Sequence, residues 1–172
     1  MRENWRGRIL IFSGVFCIML VLPACYYSIS PGVRSGNVRN LVIPLFENNT
    51  VEAGIQDPLT DAVIERFLAN GQYRLVDVPQ ADAAILGTIT DIQEESLTFS
   101  EGTTAREVRL WIEVTVRLEA VANQKVIWEE NQLRTFGDYS IASGSDSERD
   151  PAIEIAIEKM AEEILNQSIS GW

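Results

Sequence analysis

The chain has 172 residues, a length that suits one domain with one substantial core. Its 25 acidic residues outnumber 14 basic ones, giving a formal net charge of −11, and this disfavours a nucleic-acid partner, because neutralising phosphates takes clustered lysine and arginine. The sequence contains no histidine, which excludes catalytic and metal sites built on imidazole.

The first 24 residues have the order of a secretory signal peptide. Three arginines and one glutamate in residues 1–8 precede an apolar run, Ile9–Leu22. This run is shorter than the about 20 residues that a membrane-spanning helix needs. Because Pro23-Ala24 closes it with a small residue, we predict that residues 1–24 are removed on export.

Cys25 follows Ala24 directly, which resembles the bacterial lipobox, where the cysteine is lipidated and becomes the mature N-terminus. Pro23 departs from that pattern, which usually has a small residue there. Cys17 leaves with the signal peptide, so Cys25 would remain as an unpaired thiol, a reactive group unless it is blocked. We predict lipidation of Cys25; the alternative is an accidental cysteine behind an ordinary signal peptide.

The folded part is predicted as a single domain over residues 41–172, after a polar tether over residues 25–40. Its first strand is Leu41–Phe46, in which a proline marks an edge or a strand end. A helix follows, with Asp57 as its N-cap and Asn70-Gly71 as its stop. The apolar face of this helix comprises Leu59, Val63, Ile64, Phe67 and Leu68.

Four further strands are predicted. Tyr73–Asp77 is short, and a longer strand runs from Ala83 through about Phe99. Leu110–Ala120 alternates strictly between apolar and polar residues, which is typical of a strand with one buried face. A tight turn at Asn123-Gln124 then leads into a strand from Lys125 to about Thr135. The three long strands form a meander.

The segment Phe136–Glu148 is rich in Gly, Ser and Asp, which predicts a mobile loop. The last helix is predicted to start at Asp150 as N-cap. Its apolar stripe comprises Ile153, Ala156, Ile157, Met160, Ala161, Ile164 and Leu165. The predicted order is β-α-β-β-β-β-α, an α+β fold with a mixed four- to five-stranded sheet and both helices packed on one face.

Few features of the sequence support a catalytic function. Paired carboxylates occur at Glu94-Glu95, Glu129-Glu130 and Glu162-Glu163, but neighbours on a strand point to opposite faces and charge usually lines the wet side of a helix. No glycine-rich phosphate-binding motif occurs. We therefore expect no catalytic residue and no metal site.

One face of the predicted hairpin combines aromatic and basic residues. Trp111 lies opposite the Leu110 series by parity, and an outward tryptophan either packs beneath a helix or meets a partner. Arg109 and Arg117 would share its face, which could then meet an anionic amphiphile. The more ordinary alternative is that these arginines are solvent-exposed surface charges.

An ordered set of blocks resembles the LPS-assembly lipoprotein family (LptE-like). The blocks are Leu41–Thr50, Leu59–Phe67, Ala81–Ile89, the hairpin with Val126–Trp128, and the closing helix. The likeness covers nearly the whole mature chain. It is a more specific signal than the lipobox, which very many lipoproteins share.

The resemblance implies a non-enzymatic lipoprotein anchored in the inner leaflet of the outer membrane, facing the periplasm, through a covalent lipid on Cys25 such as palmitate. Members plug and help to assemble the LptD β-barrel, and with it deliver lipopolysaccharide to the cell surface. They bind lipopolysaccharide. By likeness to a family turn at Phe99–Ala105, Arg106 and Arg109 are the candidates for lipopolysaccharide contact, and no other cofactor is implied.

Two other classes stay open. One is a different periplasmic lipoprotein module, such as a curli-secretion-like pore subunit or an activator of a cell-wall synthase. The other is an envelope enzyme, which the missing histidine and missing motifs disfavour.

Overall fold

The computed structural model describes residues 38–97, 107–141 and 148–170, all within one compact unit. The elements in chain order are β1 (Asn40–Val42), β2 (Glu47–Asn48), α1 (Gln56–Asn70), β3 (Arg74–Leu75), a 3-10 turn (Val78–Gln80), β4 (Ala83–Ser96), β5 (Glu107–Ala120), β6 (Lys125–Ser140) and α2 (Arg149–Ser170). Neither of the two helices in these ranges is long and apolar enough to cross a membrane.

The strands form one mixed sheet in the order β3-β1-β4-β5-β6, with β2 paired to β4. β1 lies parallel to β3 and β4, whereas β4, β5 and β6 form an antiparallel meander. This confirms the α+β class and the mixed sheet. The sheet has six strands rather than four to five, because a second short strand, β2, follows β1 just beyond the predicted first strand. Pro44, which cannot donate to a ladder, lies between the two.

Both helices cover one face of the sheet, here called the inner face. Along β5 the residues from Val108 to Leu118 alternate between buried and half-buried. The buried set forms one core cluster with Phe67 of α1 and with Met160 of α2. The opposite face, here called the outer face, carries no helix within the described residues.

Helix α1 starts two residues earlier than predicted and without a side-chain cap. Ile55 occupies the N-cap position, and the Asp57 N–H donates to the Gly54 carbonyl oxygen at 3.4 Å. That bond satisfies one of the donors that a capping side chain would serve. Asp57 instead lies in the first turn, where its charge suits the positive end of the helix. Gly71 ends the helix as predicted, in the left-handed conformation.

The buried face of α1 is narrower than predicted. Leu59, Val63 and Phe67 are fully buried, but Leu68 is 59% exposed. Residue 68 lies about 100° around the helix from residue 67, which turns it away from the sheet. Thr60 takes a place in the buried face, because its hydroxyl donates to the Gln56 carbonyl and accepts the Phe46 N–H.

Strand β6 continues through Phe136–Ser140, so the prediction of a loop from Phe136 was wrong for its first residues; residues 142–147 lie outside the described ranges. Helix α2 holds this end of β6 by two contacts. The Thr135 hydroxyl donates to the Ala156 carbonyl at 2.7 Å. Gly137 lies against the backbone of Ala152.

An ion network fixes the start of α2, which begins at Arg149, one residue before the predicted N-cap. The Arg149 guanidinium donates to both Glu52 carboxylate oxygens, at 2.8 and 3.2 Å, and to Glu94 at 2.8 Å. The Tyr139 hydroxyl donates to the second Glu94 oxygen at 3.1 Å. These bonds join α2, β4, β6 and the loop before α1.

Candidate functional site

The outer face of the β5–β6 hairpin brings two rows of side chains together. The register pairs Arg109 with Asp138, Trp111 with Phe136, and Glu113 with Arg134. Because side chains directly opposite one another in an antiparallel pair are in contact range, these residues pack as cross-strand neighbours. With Lys159 of α2 they form what we call the cation–aromatic cluster, which comprises Arg109, Trp111, Glu113, Arg134, Phe136, Asp138 and Lys159.

Cations and rings alternate in this cluster. The Trp111 and Phe136 ring centroids are 5.0 Å apart and tilted by 58°. The Arg109 guanidinium carbon lies 3.8 Å from the Phe136 centroid, and that of Arg134 lies 4.8 Å from the Trp111 centroid. The Lys159 ammonium lies 4.2 Å from the Phe136 centroid. Such contacts favour keeping positive charge against the outer face.

Carboxylates neutralise part of this charge. Arg109 donates from Nε and Nη2 to the two oxygens of Asp138, at 2.7 and 2.9 Å. These hydrogen bonds hold the pKa of Asp138 below its ordinary value and raise the pKa of Arg109. Arg134 pairs with Glu113 at 3.4 Å. The cluster therefore holds three cations and two carboxylates around two rings, and a ligand must compete with Asp138 for Arg109.

The carboxylate pair Glu94-Glu95 is divided between the two faces, as predicted. Glu94 binds Arg149 on the inner side, whereas Glu95 accepts from the Trp111 indole N–H at 3.3 Å on the outer side. Two carboxylates that point apart cannot flank one bond of a substrate. The residues of the described ranges contain no cluster of three His, Cys, Asp or Glu side chains that could hold a metal ion.

The predicted site residues have different outcomes. Arg109 lies in the cluster beside Trp111, and Arg117 shares the face but pairs with Glu119 at 3.3 Å. Cys25 and Arg106 lie outside the described residues. Sequence reasoning missed the partners that complete the cluster, namely Arg134, Phe136, Asp138 and Lys159.

A groove of about 380 Å³ opens beside the cluster, between the edge strand β6 and helix α2. Its lining includes Leu133, Arg134, Phe136 and Lys159, together with Glu162, Glu163 and Asn166 from the next turns of α2. The groove joins the outer face to the side of the helix.

Comparisons with known proteins find one matching family and several solved structures with a similar fold. The model of the LptE lipopolysaccharide-assembly family matches residues 38–168. A minor lipoprotein from Acinetobacter baumannii is similar in structure, with a TM-score of 0.52 at 18% identity, over 76% of this chain and 91% of that one. A protein from Xanthomonas campestris has a TM-score of 0.54 at 14% identity, over 76% and 83%. Among curated proteins, none matches the chain.

Proposed function

Because the chain belongs to the LptE lipopolysaccharide-assembly family, we propose that it is an outer-membrane lipoprotein that plugs and helps to assemble an LptD-type β-barrel and takes part in delivering lipopolysaccharide to the cell surface. The observation that carries the proposal is the family match over residues 38–168. This range includes every described strand and nearly all of α2. The α+β fold shared with the Acinetobacter minor lipoprotein agrees with it.

The anchor in this proposal is a lipid on Cys25, the residue that follows the predicted signal peptide. One acyl chain binds a membrane only marginally, so stable anchoring takes two or more. A diacylated Cys25 would hold the domain on the periplasmic face of the membrane through the tether. In this role the protein is not an enzyme and needs no cofactor beyond the covalent lipid.

The proposed contact with lipopolysaccharide is Arg109 in the cation–aromatic cluster, together with Arg106, which precedes it by three residues in the sequence. Lipopolysaccharide carries anionic groups next to apolar chains. Arg109 supplies a planar donor fork for such anions. Trp111 and Phe136, packed beside it at 5.6 and 3.8 Å from its guanidinium carbon, supply apolar surface.

The test is depletion of the protein in its own bacterium. We expect loss of lipopolysaccharide from the cell surface and loss of correctly folded barrel, both restored by the wild-type gene. A Cys25→Ala variant, which keeps the folded domain, should restore neither fully. Unchanged surface lipopolysaccharide together with unchanged barrel would contradict the proposal, and copurification of a cell-wall synthase or a lipoprotein ring would favour the alternative modules.

A further inference from the structure

Strand β6 is the edge of the sheet. It pairs with β5 on one side, and within the described ranges no strand pairs with its other side. An unpaired strand edge exposes backbone N–H and C=O groups that can accept an added strand.

The two halves of β6 differ in regularity. Its pairing with β5 shifts register between Leu118 and Glu119 and again between Val114 and Val116, which places bulges in the first half. Bulges bend and twist a strand and so discourage edge pairing. From Leu133 to Ser140 the pairing is one to one. The second half is therefore the regular part.

In the second half of β6, the backbone N–H and C=O groups that do not pair with β5 face the groove. The Phe136 carbonyl accepts a hydrogen bond from Lys159 Nζ at 2.9 Å, so it faces away from β5. In an antiparallel ladder the N–H and C=O of one residue face the same side, and this side recurs every second residue. The Arg134 N–H and C=O therefore also face the open edge.

Helix α2 forms the second wall of the groove and runs antiparallel to β6, since Thr135 meets Ala156 and Gly137 meets Ala152. Lys159 lies beside Phe136, and Glu162 and Glu163 follow within one turn. That step is about 5 Å along the helix. It is close to the about 7 Å that separates two residues on the same side of a strand.

Building on the proposed function, we propose that this groove binds an extended segment of the β-barrel partner, which adds to β6 as an antiparallel strand. The segment carries an acidic side chain beside Lys159, and a basic one two positions later beside Glu162 and Glu163. Its backbone N–H replaces Lys159 at the Phe136 carbonyl. The released ammonium then pairs with the acidic side chain.

Site-specific photocrosslinking in the intact envelope tests the contact. We replace Asn166, an exposed residue of the groove on α2, by p-benzoylphenylalanine. The control site is Glu129, an exposed residue in the bulged half of β6. We expect a crosslink to the barrel from Asn166 and none from Glu129. Mapping should give a segment with an acidic and a basic residue two positions apart.

The other outcomes overturn the inference. A crosslink only to a second copy of this chain, or only to lipid, assigns the groove to a different occupant. A barrel that copurifies without any crosslink from Asn166 removes the inference and leaves the proposed function standing. If no barrel copurifies with the wild-type protein, the proposed function fails and the inference falls with it.

A pair of variants at one position isolates the backbone bond. Arg134→Pro removes an N–H that faces the groove but spares the pairing with β5, whereas Arg134→Thr removes the same side chain and keeps the N–H. We expect Arg134→Pro to retain about five- to tenfold less barrel than Arg134→Thr, the effect of one lost hydrogen bond. If the two variants retain equal amounts of barrel and unfold at equal temperatures, strand addition is contradicted.

Discussion

Gly137 of β6 lies so close to Ala152 of α2 that a Cβ on Gly137 would come within 2.7 Å of the Ala152 carbonyl carbon and 2.9 Å of its Cα. The neighbour is backbone in the first turn of a helix, so it cannot rotate away. We predict that Gly137→Ala lowers the free energy of unfolding by about 2 to 3 kcal/mol, the usual cost of overpacking. Urea denaturation of the purified protein measures it.

Gly71→Ala is the matched control for this prediction. Gly71 has φ +70°, and an added Cβ there meets nothing within 4 Å. We expect this variant to lose about 1 kcal/mol of the free energy of unfolding, because alanine is strained in the left-handed backbone conformation. Equal losses for the two variants would show that the contact with Ala152 does not limit the approach of α2.

The same glycine shows why the sequence predicted a loop at this place. Phe136–Ser140 contains Gly137 and Asp138, and both residue types are depleted in strands. Here the missing side chain serves a close approach of two backbones, a tertiary contact that has no local signal. The alternation along β5 and the Gly71 stop were predictable because each depends on local periodicity or backbone conformation.

The cation–aromatic cluster was predictable only in part, for a related reason. Parity placed Arg109 and Trp111 on one face. The partners across the hairpin depend on register, and counting back from the turn with Ala120 opposite Lys125 would pair Trp111 with Arg134. The two register shifts in β6 move the pairing to Phe136 instead, and nothing in the sequence marks them.

The Arg149 network should contribute measurably to stability. Arg149→Met leaves Glu52 and Glu94 without the guanidinium that binds both. The Arg149 and Glu52 side chains keep 24% and 34% exposure, so we discount for solvent screening and expect a loss of about 1 kcal/mol at pH 7. Arg66→Met is the control, because Arg66 makes a single exposed pair with Glu158; its expected change is under about 0.5 kcal/mol.

The contribution of Arg149 should fade in acid. The hydrogen bond from Arg149 holds the pKa of Glu52 below its ordinary value of 4.5. A carboxyl whose pKa is lowered in the folded state stabilises the fold above its unfolded pKa, and this stability is lost as pH falls through the folded pKa. The stability difference between wild type and Arg149→Met, followed by denaturation at several pH values, should therefore be constant near neutral pH and shrink below pH 4.5. An unchanged difference in acid would exclude the ion pairs as its cause.

Asp82 joins the start of β1 to the start of β4. Its carboxylate accepts the Asn40 N–H at 2.8 Å and the Arg39 N–H at 3.0 Å, and these bonds hold its pKa below the ordinary value of 3.8. We predict that Asp82→Ala lowers the free energy of unfolding by about 1 kcal/mol, a value reduced for exposure. Asp77→Ala is the control, because Asp77 makes no side-chain cap to its 3-10 turn. Thermal unfolding should separate the two.

Asp138 should restrain the binding of anionic amphiphiles, because it occupies two donors of Arg109. Asp138→Asn keeps the shape of the side chain and removes its charge, so we expect affinity for lipopolysaccharide to rise about threefold. Arg109→Ala should lower it by a similar factor. Binding is measured with the detergent-solubilised lipoprotein at low salt, where exposed charges are least screened.

Arg117→Ala supplies the control for this pair of variants. Arg117 lies on the same strand and the same face as Arg109 but outside the cluster, where it pairs with Glu119. Its removal takes away one positive charge without touching Trp111 or Phe136, so affinity should stay within about twofold of wild type, a change of under about 0.5 kcal/mol. Equal losses for Arg117→Ala and Arg109→Ala would mean that net charge, and not the arrangement around the two rings, governs binding.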